Sequence, residues 1–313
     1  MSGVQASGFH HIPVLFNESI DSLCIKPSGV YVDCTAGGGG HSSAIASKLN
    51  GGRLIAIDRD PQAIGVLNER LSSFGCVTVV HDNFFNIKNI LASLGIDSVD
   101  GILADLGVSS HQLDEASRGF SFHKDAPLDM RMSLEGMSAA QAVNMLSQAE
   151  LQKIIFEYGE EKFAPSISKA IVSARREKPI VTTFELAEII KSAVPAAARR
   201  DGHPARKTFQ AIRIYINGEL DGLDRAVDDM FDCLKEGGRL SIITFHSLED
   251  RIVKQEFASF AKGCTCPKNF PVCVCGNKPR AKLLKAVAPG ADEVSDNIRS
   301  RSARLRTAEK ITV

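Results

Sequence analysis

Residues 30–41 read Val-Tyr-Val-Asp-Cys-Thr-Ala-Gly-Gly-Gly-Gly-His, so a short apolar run is followed by an acid, Asp33, and then by four glycines. A strand that ends in a glycine turn and leads into a helix is typical of the first half of a nucleotide-binding α/β unit. The next apolar run, residues 53–58, ends in a second acid, Asp58. A carboxylate at that position can accept hydrogen bonds from both hydroxyls of a ribose. The pattern therefore predicts an adenosine-like ligand at the carboxyl edge of a sheet.

The acid in the turn favours one class of nucleoside cofactor. A dinucleotide site uses G-x-G-x-x-G with a pyrophosphate at the helix N-terminus, whereas this turn has the order D-x-T-x-G-x-G-G. Asp33 would repel a pyrophosphate but suits an ammonium group. S-adenosylmethionine carries an ammonium, a sulfonium and a ribose diol, and no phosphate, so we predict it as the cofactor. The alternatives are a glycine-rich turn without a ligand and a site for NAD or another nucleotide.

Length and charge limit the class of protein. The chain has 313 residues, with 37 Lys+Arg against 37 Asp+Glu, so any nucleic-acid surface must be a local patch. Its first residues lack the basic start and apolar stretch of a signal peptide, and no apolar run approaches the length of about 18 residues that a membrane span needs. We therefore expect a cytoplasmic protein with no membrane partner and with reduced cysteines.

The hydrophobic pattern changes along the chain. Short runs rich in Val and Ile alternate with helix-length segments at residues 29–35, 53–58, 76–81 and 99–105. This alternation predicts a parallel sheet with right-handed crossovers. Residues 138–198 have helical spacing, with helix starts marked by Ser138, by Ser147 with Glu150, and by Thr183. Strand signal returns at 237–244, so we predict an α/β fold, a doubly wound Rossmann-like sheet with a mainly helical insertion after its fourth strand.

Asp105 ends that fourth strand, which lies beside the first strand in a doubly wound sheet. Ligands bind at the carboxyl edge there. In methyltransferases that act on exocyclic amino groups, a D/N-P-P-aromatic tetrad at this edge accepts hydrogen bonds from the target nitrogen. This chain has Asp105-Leu-Gly-Val108, which keeps the acid but lacks the prolines and the aromatic residue. The alternative is an Asp that only caps a turn.

Several longer segments are together similar to one family. They are His11-Ile-Pro-Val-Leu15, the glycine turn through His41, Ile57-Asp-Arg-Asp-Pro61, Asp105-Leu-Gly-Val-Ser-Ser-His-Gln-Leu-Asp114, Arg118-Gly-Phe-Ser-Phe122, His203-Pro-Ala-Arg-Lys-Thr-Phe-Gln-Ala-Ile-Arg213 and Thr244-Phe-His-Ser-Leu-Glu-Asp-Arg251. Over nearly its whole length the chain resembles the bacterial 16S rRNA (cytosine-N4)-methyltransferase family. The resemblance implies methyl transfer from S-adenosylmethionine to a cytosine in the decoding region of 16S rRNA, with an assembling small ribosomal subunit as the preferred substrate.

The resemblance also implies a set of cofactor contacts. In this chain they fall on Gly39, Gly40, His41, Asp58, Phe84, Asp105 and Gln112. Asp58 would hold the ribose hydroxyls, Phe84 would cover one face of the adenine, and the two glycines would leave room for the methionine portion. The alternatives are a core role for Phe84, a solvated loop position for Gln112 and a structural helix start for His41.

The chemistry of cytosine N4 requires a proton acceptor. The N4 lone pair is delocalised into the ring, so attack on a sulfonium methyl needs a group that accepts a hydrogen bond from N4 and receives the lost proton. Asp105 is the first candidate for this catalytic residue. Asp129, Asp114 and His246 remain alternatives.

Two basic segments are candidates for binding RNA. Residues 169–213 hold ten Lys/Arg against four Asp/Glu, and residues 278–313 hold nine against four. Phosphate contacts explain such patches in a neutral chain, although solvated faces are the alternative. We therefore predict a methyltransferase domain of residues 1–114 and 213–313, and an RNA-recognising insertion of residues 115–212. Rival functions are a DNA amino-methyltransferase and an inactive RNA-binding ribosome-assembly factor; the oligomeric state is left open.

Four of the eight cysteines lie within twelve residues, at positions 264, 266, 273 and 275. Four-thiolate zinc sites more commonly use paired C-x-x-C, and this segment has C-x-C twice. We therefore favour a reduced cysteine-rich loop over zinc and assign no metal site.

Overall fold

The computed structural model describes residues 13–264, 266–267, 270–272 and 274–312. The chain forms two compact units. The first contains the residues up to Asp58, Ala63–Leu106 and the residues from Asp224 on, and the second contains Arg59–Gln62 and Gly107–Leu223. The predicted insertion, residues 115–212, lies inside the second unit. His11 of the first motif and Cys273 lie outside the described residues.

The first unit is built on one sheet of seven strands in the order β3-β2-β1-β4-β5-β7-β6. The strands are β1 (Val30–Asp33), β2 (Arg53–Asp58), β3 (Val77–His81), β4 (Val99–Asp105), β5 (Leu234–Thr244), β6 (Ala281–Leu283) and β7 (Arg304–Lys310). Strands β1 to β5 pair in parallel, whereas β7 is antiparallel to both of its neighbours. The predicted doubly wound α/β sheet is therefore confirmed, including its four N-terminal strands and the strand that follows the insertion.

Thirteen α-helices accompany the sheet in the described ranges. They are α1 (Phe16–Ser22), α2 (Gly40–Ser47), α3 (Pro61–Arg70), α4 (Ile87–Ser93), α5 (Ser110–Asp114), α6 (Ala139–Met145), α7 (Gln148–Gly159), α8 (Ala164–Glu177), α9 (Thr183–Ala193), α10 (Arg206–Asn217), α11 (Leu223–Asp232), α12 (Ser247–Phe260) and α13 (Ala291–Asp296). Short 3-10 turns occupy Phe84–Asn86, Ala116–Arg118, Ala196–Asp201 and Ile298–Ser302. None of the helices in the described ranges is long and apolar enough to cross a membrane.

The antiparallel strand β7 was not predicted, because its sequence, Arg-Leu-Arg-Thr-Ala-Glu-Lys, is mostly charged and has no apolar run. Leu305, Thr307 and Ala308 are buried all the same. Arg306 on this strand donates from Nε and Nη2 to the two carboxylate oxygens of Asp250, at 2.7 and 2.9 Å. Arg306 of the C-terminal basic segment therefore ties β7 to α12 and is not available as a solvated RNA-binding group.

The second unit has a hydrophobic core of its own. Ile155 and Ile167 are buried together with Leu186 and Phe209, and burying each such side chain contributes about 1.5–3 kcal/mol. Helices α5, α6, α7 and α9 begin with capping boxes, in which a hydroxyl and the side chain three residues later satisfy each other's backbone N–H groups. The predicted box of Ser147 with Glu150 is confirmed. The cap of α9 is Thr182, one residue before the predicted Thr183.

Candidate functional site

Three carboxylates end three neighbouring strands of the first unit. Asp58 closes β2, Asp33 closes β1 and Asp105 closes β4. Because β1 pairs in parallel with both β2 and β4, the three acids lie along one edge of the sheet. The ends of parallel strands at such an edge are where α/β folds bind ligands. The structure therefore brings together the three acids on which the sequence analysis depended.

The glycine turn follows this edge and opens helix α2. Gly39 is the N-cap of the helix with φ of 79°, a left-handed conformation that favours glycine. Gly40 faces Pro13, whose Cγ would lie 2.6 Å from a Cβ at this position. The backbone N–H of Gly37 donates to Oδ2 of Asp58 at 2.7 Å. The second strand's acid is thereby fixed against the turn.

Asp33 is buried and engaged within the turn. Its carboxylate accepts a hydrogen bond from the Ser42 hydroxyl at 2.6 Å and another from the Thr35 backbone N–H at 3.2 Å. Burial raises the pKa of Asp33 to about 6, with a contribution from the charge of Asp58, although the two hydrogen bonds oppose the shift. Asp33 therefore contributes negative charge to the edge through a carboxylate that the protein itself holds in place.

Asp105 carries the most perturbed carboxylate of this edge. Its side chain is 25% exposed, yet Oδ1 is buried and has no hydrogen-bond partner among the described residues. Desolvation raises the pKa of Asp105 to about 8, and the nearby charges of Asp33 and Glu249 act in the same direction. Its backbone N–H donates to the Thr35 hydroxyl at 2.5 Å, which fixes the strand end. A buried acceptor without a donor is costly, so this oxygen is suited to a ligand.

His41 lies beside Asp105 but does not neutralise it. Nδ1 of His41 is 3.9 Å from Oδ2 of Asp105, and the imidazole stacks on Phe16 with ring centroids 5.6 Å apart. Burial lowers the pKa of His41 to about 4, so the ring is neutral near pH 7. Its Nε2 is buried without a hydrogen-bond partner in the described part of the chain. The edge therefore offers acids and, in His41, a neutral imidazole.

These properties fit S-adenosylmethionine. A row of partly desolvated acids disfavours phosphate and favours a positively charged ligand, and this cofactor carries both a sulfonium and an ammonium. The unpartnered oxygen of Asp105 is a ready acceptor for a donor on the ligand or on the methyl acceptor. The carboxylate of Asp58 is placed at the end of β2, where a ribose is held in this class of fold.

The remaining predicted cofactor contacts are less distinctive. Phe84 is partly buried at the start of a 3-10 turn and makes an edge-to-face contact with Phe85, with centroids 4.8 Å apart. Gln112 belongs to the second unit, where its Nε2 donates to Asp60 at 2.7 Å and its Oε1 accepts from the Ser109 backbone N–H at 3.0 Å. The cofactor roles of Phe84 and Gln112 stay predictions.

The alternative proton acceptors differ from Asp105 in position and in side-chain contacts. Burial acts to raise the pKa of Asp129, but hydrogen bonds from Arg131 outweigh it and hold the pKa below its ordinary value. His246 is the N-cap of α12, where Nδ1 accepts from the Glu249 backbone N–H at 3.4 Å. Asp114 ends the short helix α5 and is partly buried. Asp105 is the candidate that combines the carboxyl edge with an unpartnered oxygen.

Three residues of the edge were missed by the sequence analysis. They are Thr35 and Ser42, which hold Asp105 and Asp33, and Glu249, which adds to the charge around Asp105. Thr35 and Ser42 lie within the quoted turn, so their hydroxyls were a signal that the sequence offered. Glu249 is remote in sequence and becomes part of the edge only through the fold.

Comparisons with known proteins agree with this geometry. The model of the MraW methylase family matches residues 8–311. The ribosomal RNA small subunit methyltransferase H of Clostridium botulinum (strain Kyoto / Type A2) is 57% identical over 307 residues, which cover 97% of this chain and 99% of that protein. Proteins of the same name from Brevibacillus brevis and Lachnospira eligens are 55% and 54% identical, and both matches cover 97% of this chain and 98% of the relative. The resemblance found in the sequence is thus confirmed, and the chain belongs to the MraW methylase family.

Proposed function

We propose that this chain is an S-adenosylmethionine-dependent methyltransferase that modifies N4 of a specific cytosine in the decoding region of 16S rRNA. Family membership over nearly the whole chain supports the reaction class and the substrate. The observation that carries the assignment to this edge is the buried, unpartnered Oδ1 of Asp105, next to the glycine turn and the acid that ends β2.

We assign some residues of the edge to cofactor binding and one, Asp105, to proton transfer. Bound S-adenosylmethionine supplies an electrophilic methyl group on a sulfonium. Asp58, fixed by the Gly37 backbone N–H, accepts hydrogen bonds from the ribose hydroxyls. Gly39 and Gly40, in the turn that opens α2, are the proposed contacts of the methionine portion, and the acids set the charge that holds its ammonium.

Asp105 is the proposed catalytic residue. In the cofactor-free protein its raised pKa keeps the carboxyl protonated near pH 7. A cation bound close by lowers that pKa, which turns the same group into a carboxylate. The carboxylate then accepts a hydrogen bond from the cytosine amino group, directs the N4 lone pair toward the methyl group and takes up the released proton. His41, neutral and buried, keeps water and competing positive charge away from Oδ2.

We propose that the second unit binds the RNA backbone. Several of its basic residues are held internally: Arg175 donates to the Val143 carbonyl, and Arg213 pairs with Glu219 at 2.8 Å. Others are exposed, namely Lys169, Arg176, Arg200 and Arg206. Exposed guanidinium and ammonium groups on one unit suit phosphate contacts, which fix an RNA without reading its sequence. We further propose an assembling small ribosomal subunit as the preferred substrate and the cytoplasm, where subunits are assembled, as the compartment.

The decisive experiment uses rRNA from cells that lack this gene. Purified protein and labelled cofactor are mixed with naked 16S rRNA, with small subunits, or with DNA of the same sequence, and nucleosides are identified by mass spectrometry. We expect one methyl on N4 of one cytosine, more in subunits than in naked RNA and none in DNA.

Asp105→Asn is the matched variant, because it keeps the shape of the side chain and removes the proton acceptor. We expect it to bind cofactor and RNA and to transfer methyl groups at least about a hundredfold more slowly. Methylation of DNA alone would identify the rival amino-methyltransferase. Binding of subunits without any methyl transfer by the wild-type chain would identify the inactive assembly factor.

A further inference from the structure

We propose that the segment between α12 and β6 binds a zinc ion through the thiolates of Cys264, Cys266 and Cys275. The three sulfur atoms lie within 4.8 Å of one another. The sequence alone favoured a reduced loop without metal, since two C-x-C pairs are an uncommon spacing for zinc. The placement of the thiols outweighs that expectation.

The separation of one sulfur pair matches a tetrahedral metal site. Sγ of Cys264 and Sγ of Cys275 are 3.7 Å apart. Zinc binds thiolate sulfur at about 2.3 Å, so two ligands at the corners of a tetrahedron are about 3.8 Å apart. A disulfide requires a sulfur separation of about 2.05 Å. The observed pair is therefore positioned to share a metal and not to form a covalent bond.

A backbone donor also contacts the third sulfur, that of Cys266. The N–H of Val274 donates to Sγ of Cys266 at 3.4 Å. Hydrogen bonds from backbone N–H groups to ligand sulfur are the kind of outer contact that orients and stabilises thiolates at metal sites. The same turn of chain thus carries one ligand, Cys275, and supplies a donor to another.

A metal ion would stabilise this segment, because its own side chains bury little apolar surface. Phe270, Val272 and Val274 are 52, 69 and 73% exposed, so their side chains contribute little to holding its shape. The ends are closed by polar bonds, in which the Arg280 N–H donates to the Phe260 carbonyl at 2.7 Å and Asn277 Nδ2 donates to the Gly263 carbonyl at 2.8 Å. Small segments without a core are commonly stabilised by a metal, whose binding free energy becomes folding free energy.

The donor set selects zinc among common metals. Thiolates are soft ligands, and a cluster of sulfur atoms without carboxylate or imidazole suits zinc better than magnesium, calcium or manganese. A structural zinc site has four protein ligands. Cys264, Cys266 and Cys275 supply three of these ligands.

The test is metal analysis of the full-length chain, purified with a phosphine reductant and without chelators. We expect about one zinc per chain, and after exchange with cobalt an absorption band for thiolate-to-cobalt charge transfer. Cys264→Ser and Cys275→Ser should each weaken zinc binding by about a hundredfold or more. Cys24→Ser is the control, because Cys24 is an exposed cysteine outside the segment and its loss should leave the zinc content unchanged.

A second measurement guards against variants that fail to fold. Removing zinc from the wild-type chain with a strong chelator should raise protease cleavage within residues 261–280, and added zinc alone should reverse it. The proposal is overturned if the wild-type chain holds no zinc and takes none up, if the cobalt form lacks the charge-transfer band, or if Cys264→Ser retains wild-type zinc. None of these readouts depends on methyl transfer, so they stand apart from the proposed function.

Discussion

Binding of S-adenosylmethionine should expel a proton from the protein, and the source of that proton should be Asp105. The pKa of this carboxyl is about 8 in the cofactor-free chain because the group is desolvated and lies near Asp33 and Glu249. The cofactor brings a sulfonium and an ammonium to the same edge. Since an opposite charge favours the ionised form of an acid, cofactor binding and loss of the proton are linked.

The size of the effect follows from the pKa and from Coulomb's law. A group with a pKa of about 8 is about 0.9 protonated at pH 7 and about 0.1 protonated at pH 9. A unit positive charge about 4 Å away, at an effective dielectric constant of about 20, favours the carboxylate by about 4 kcal/mol, which is about three pKa units. A shift of that size leaves the carboxyl ionised at pH 7, so about 0.9 proton leaves Asp105 on binding.

Calorimetry in a series of buffers measures directly how many protons are released when the cofactor binds. The observed binding enthalpy varies linearly with the ionisation enthalpy of the buffer, and the slope is the number of protons exchanged. Protonation of the cofactor's own amino group also contributes, but Asp105→Asn removes only the protein's share. We expect the slopes of the wild-type chain and the variant to differ by about 0.9 at pH 7. Cofactor affinity should rise from pH 6 toward pH 8 in the wild-type chain and more weakly in the variant.

Equal slopes for the wild-type chain and Asp105→Asn would refute the reasoning. That result would mean either that Asp105 is already ionised in the free protein or that the positive charges of the cofactor lie elsewhere. S-adenosylhomocysteine lacks the sulfonium charge and should release fewer protons than S-adenosylmethionine, which separates the contribution of the sulfur from that of the ammonium.

Three further substitutions test the site and its support. Asp58→Ala should weaken cofactor binding by about 1–3 kcal/mol, the cost of leaving ribose hydroxyls without an acceptor; an unchanged dissociation constant in calorimetry would remove Asp58 from the site. Gly39→Ala should lower the free energy of unfolding by about 1–2 kcal/mol, because φ is 79°. Gly38→Ala is the control, because no atom lies within 4 Å of its new methyl group, and it should leave the free energy of unfolding unchanged. Equal urea midpoints for the two variants would contradict backbone strain at position 39. Asp60→Asn should cost about 3–5 kcal/mol, because it removes the charge partner of a buried arginine. The exposed Glu135→Gln is its control, and equal stability of the two in urea would show that the ion pair contributes nothing.

The strands of the sheet were predictable where burial leaves a continuous apolar signature. Strands β1 to β4 are flanked by helices and read as runs of Val and Ile, so their positions follow from the sequence. Strand β7 carries four charged residues among its seven, at Arg304, Arg306, Glu309 and Lys310. Its sheet pairing is visible only once Asp250 and the neighbouring strand are in place, because local pattern gives no information about partners that are distant in sequence.

The boundary of the second unit was also not predictable from local sequence pattern. Residues Arg59–Gln62 belong to it, although they follow β2 directly. The reason is a set of side-chain bonds across more than fifty residues, in which Asp60 accepts from Gln112 at 2.7 Å and from Arg118 at 2.8 Å. No feature of the segment itself signals this attachment.

The positions of the carboxylates in the candidate site could be predicted from the sequence. Their hydrogen bonds and protonation could not. The acids at the strand ends follow from the position of each strand, which the sequence supplies. The internal engagement of Asp33 by Ser42, the neutrality of His41 and the unpartnered oxygen of Asp105 depend on burial and on hydrogen-bond geometry. These properties arise only in the folded protein.

The order of strands delays completion of the sheet while the chain is being synthesised. Strands β4 and β5 are neighbours in the sheet, yet residues 106–233 separate them along the chain. At about 5–20 residues per second, a ribosome needs roughly 6–26 s to deliver the second strand after the first. During that interval the nascent chain carries an apolar strand edge that ends in Asp105, a hazard for aggregation. The intervening residues supply the buried cluster of the second unit, so one hydrophobic core is ready to form on the ribosome while the sheet of the other still lacks β5.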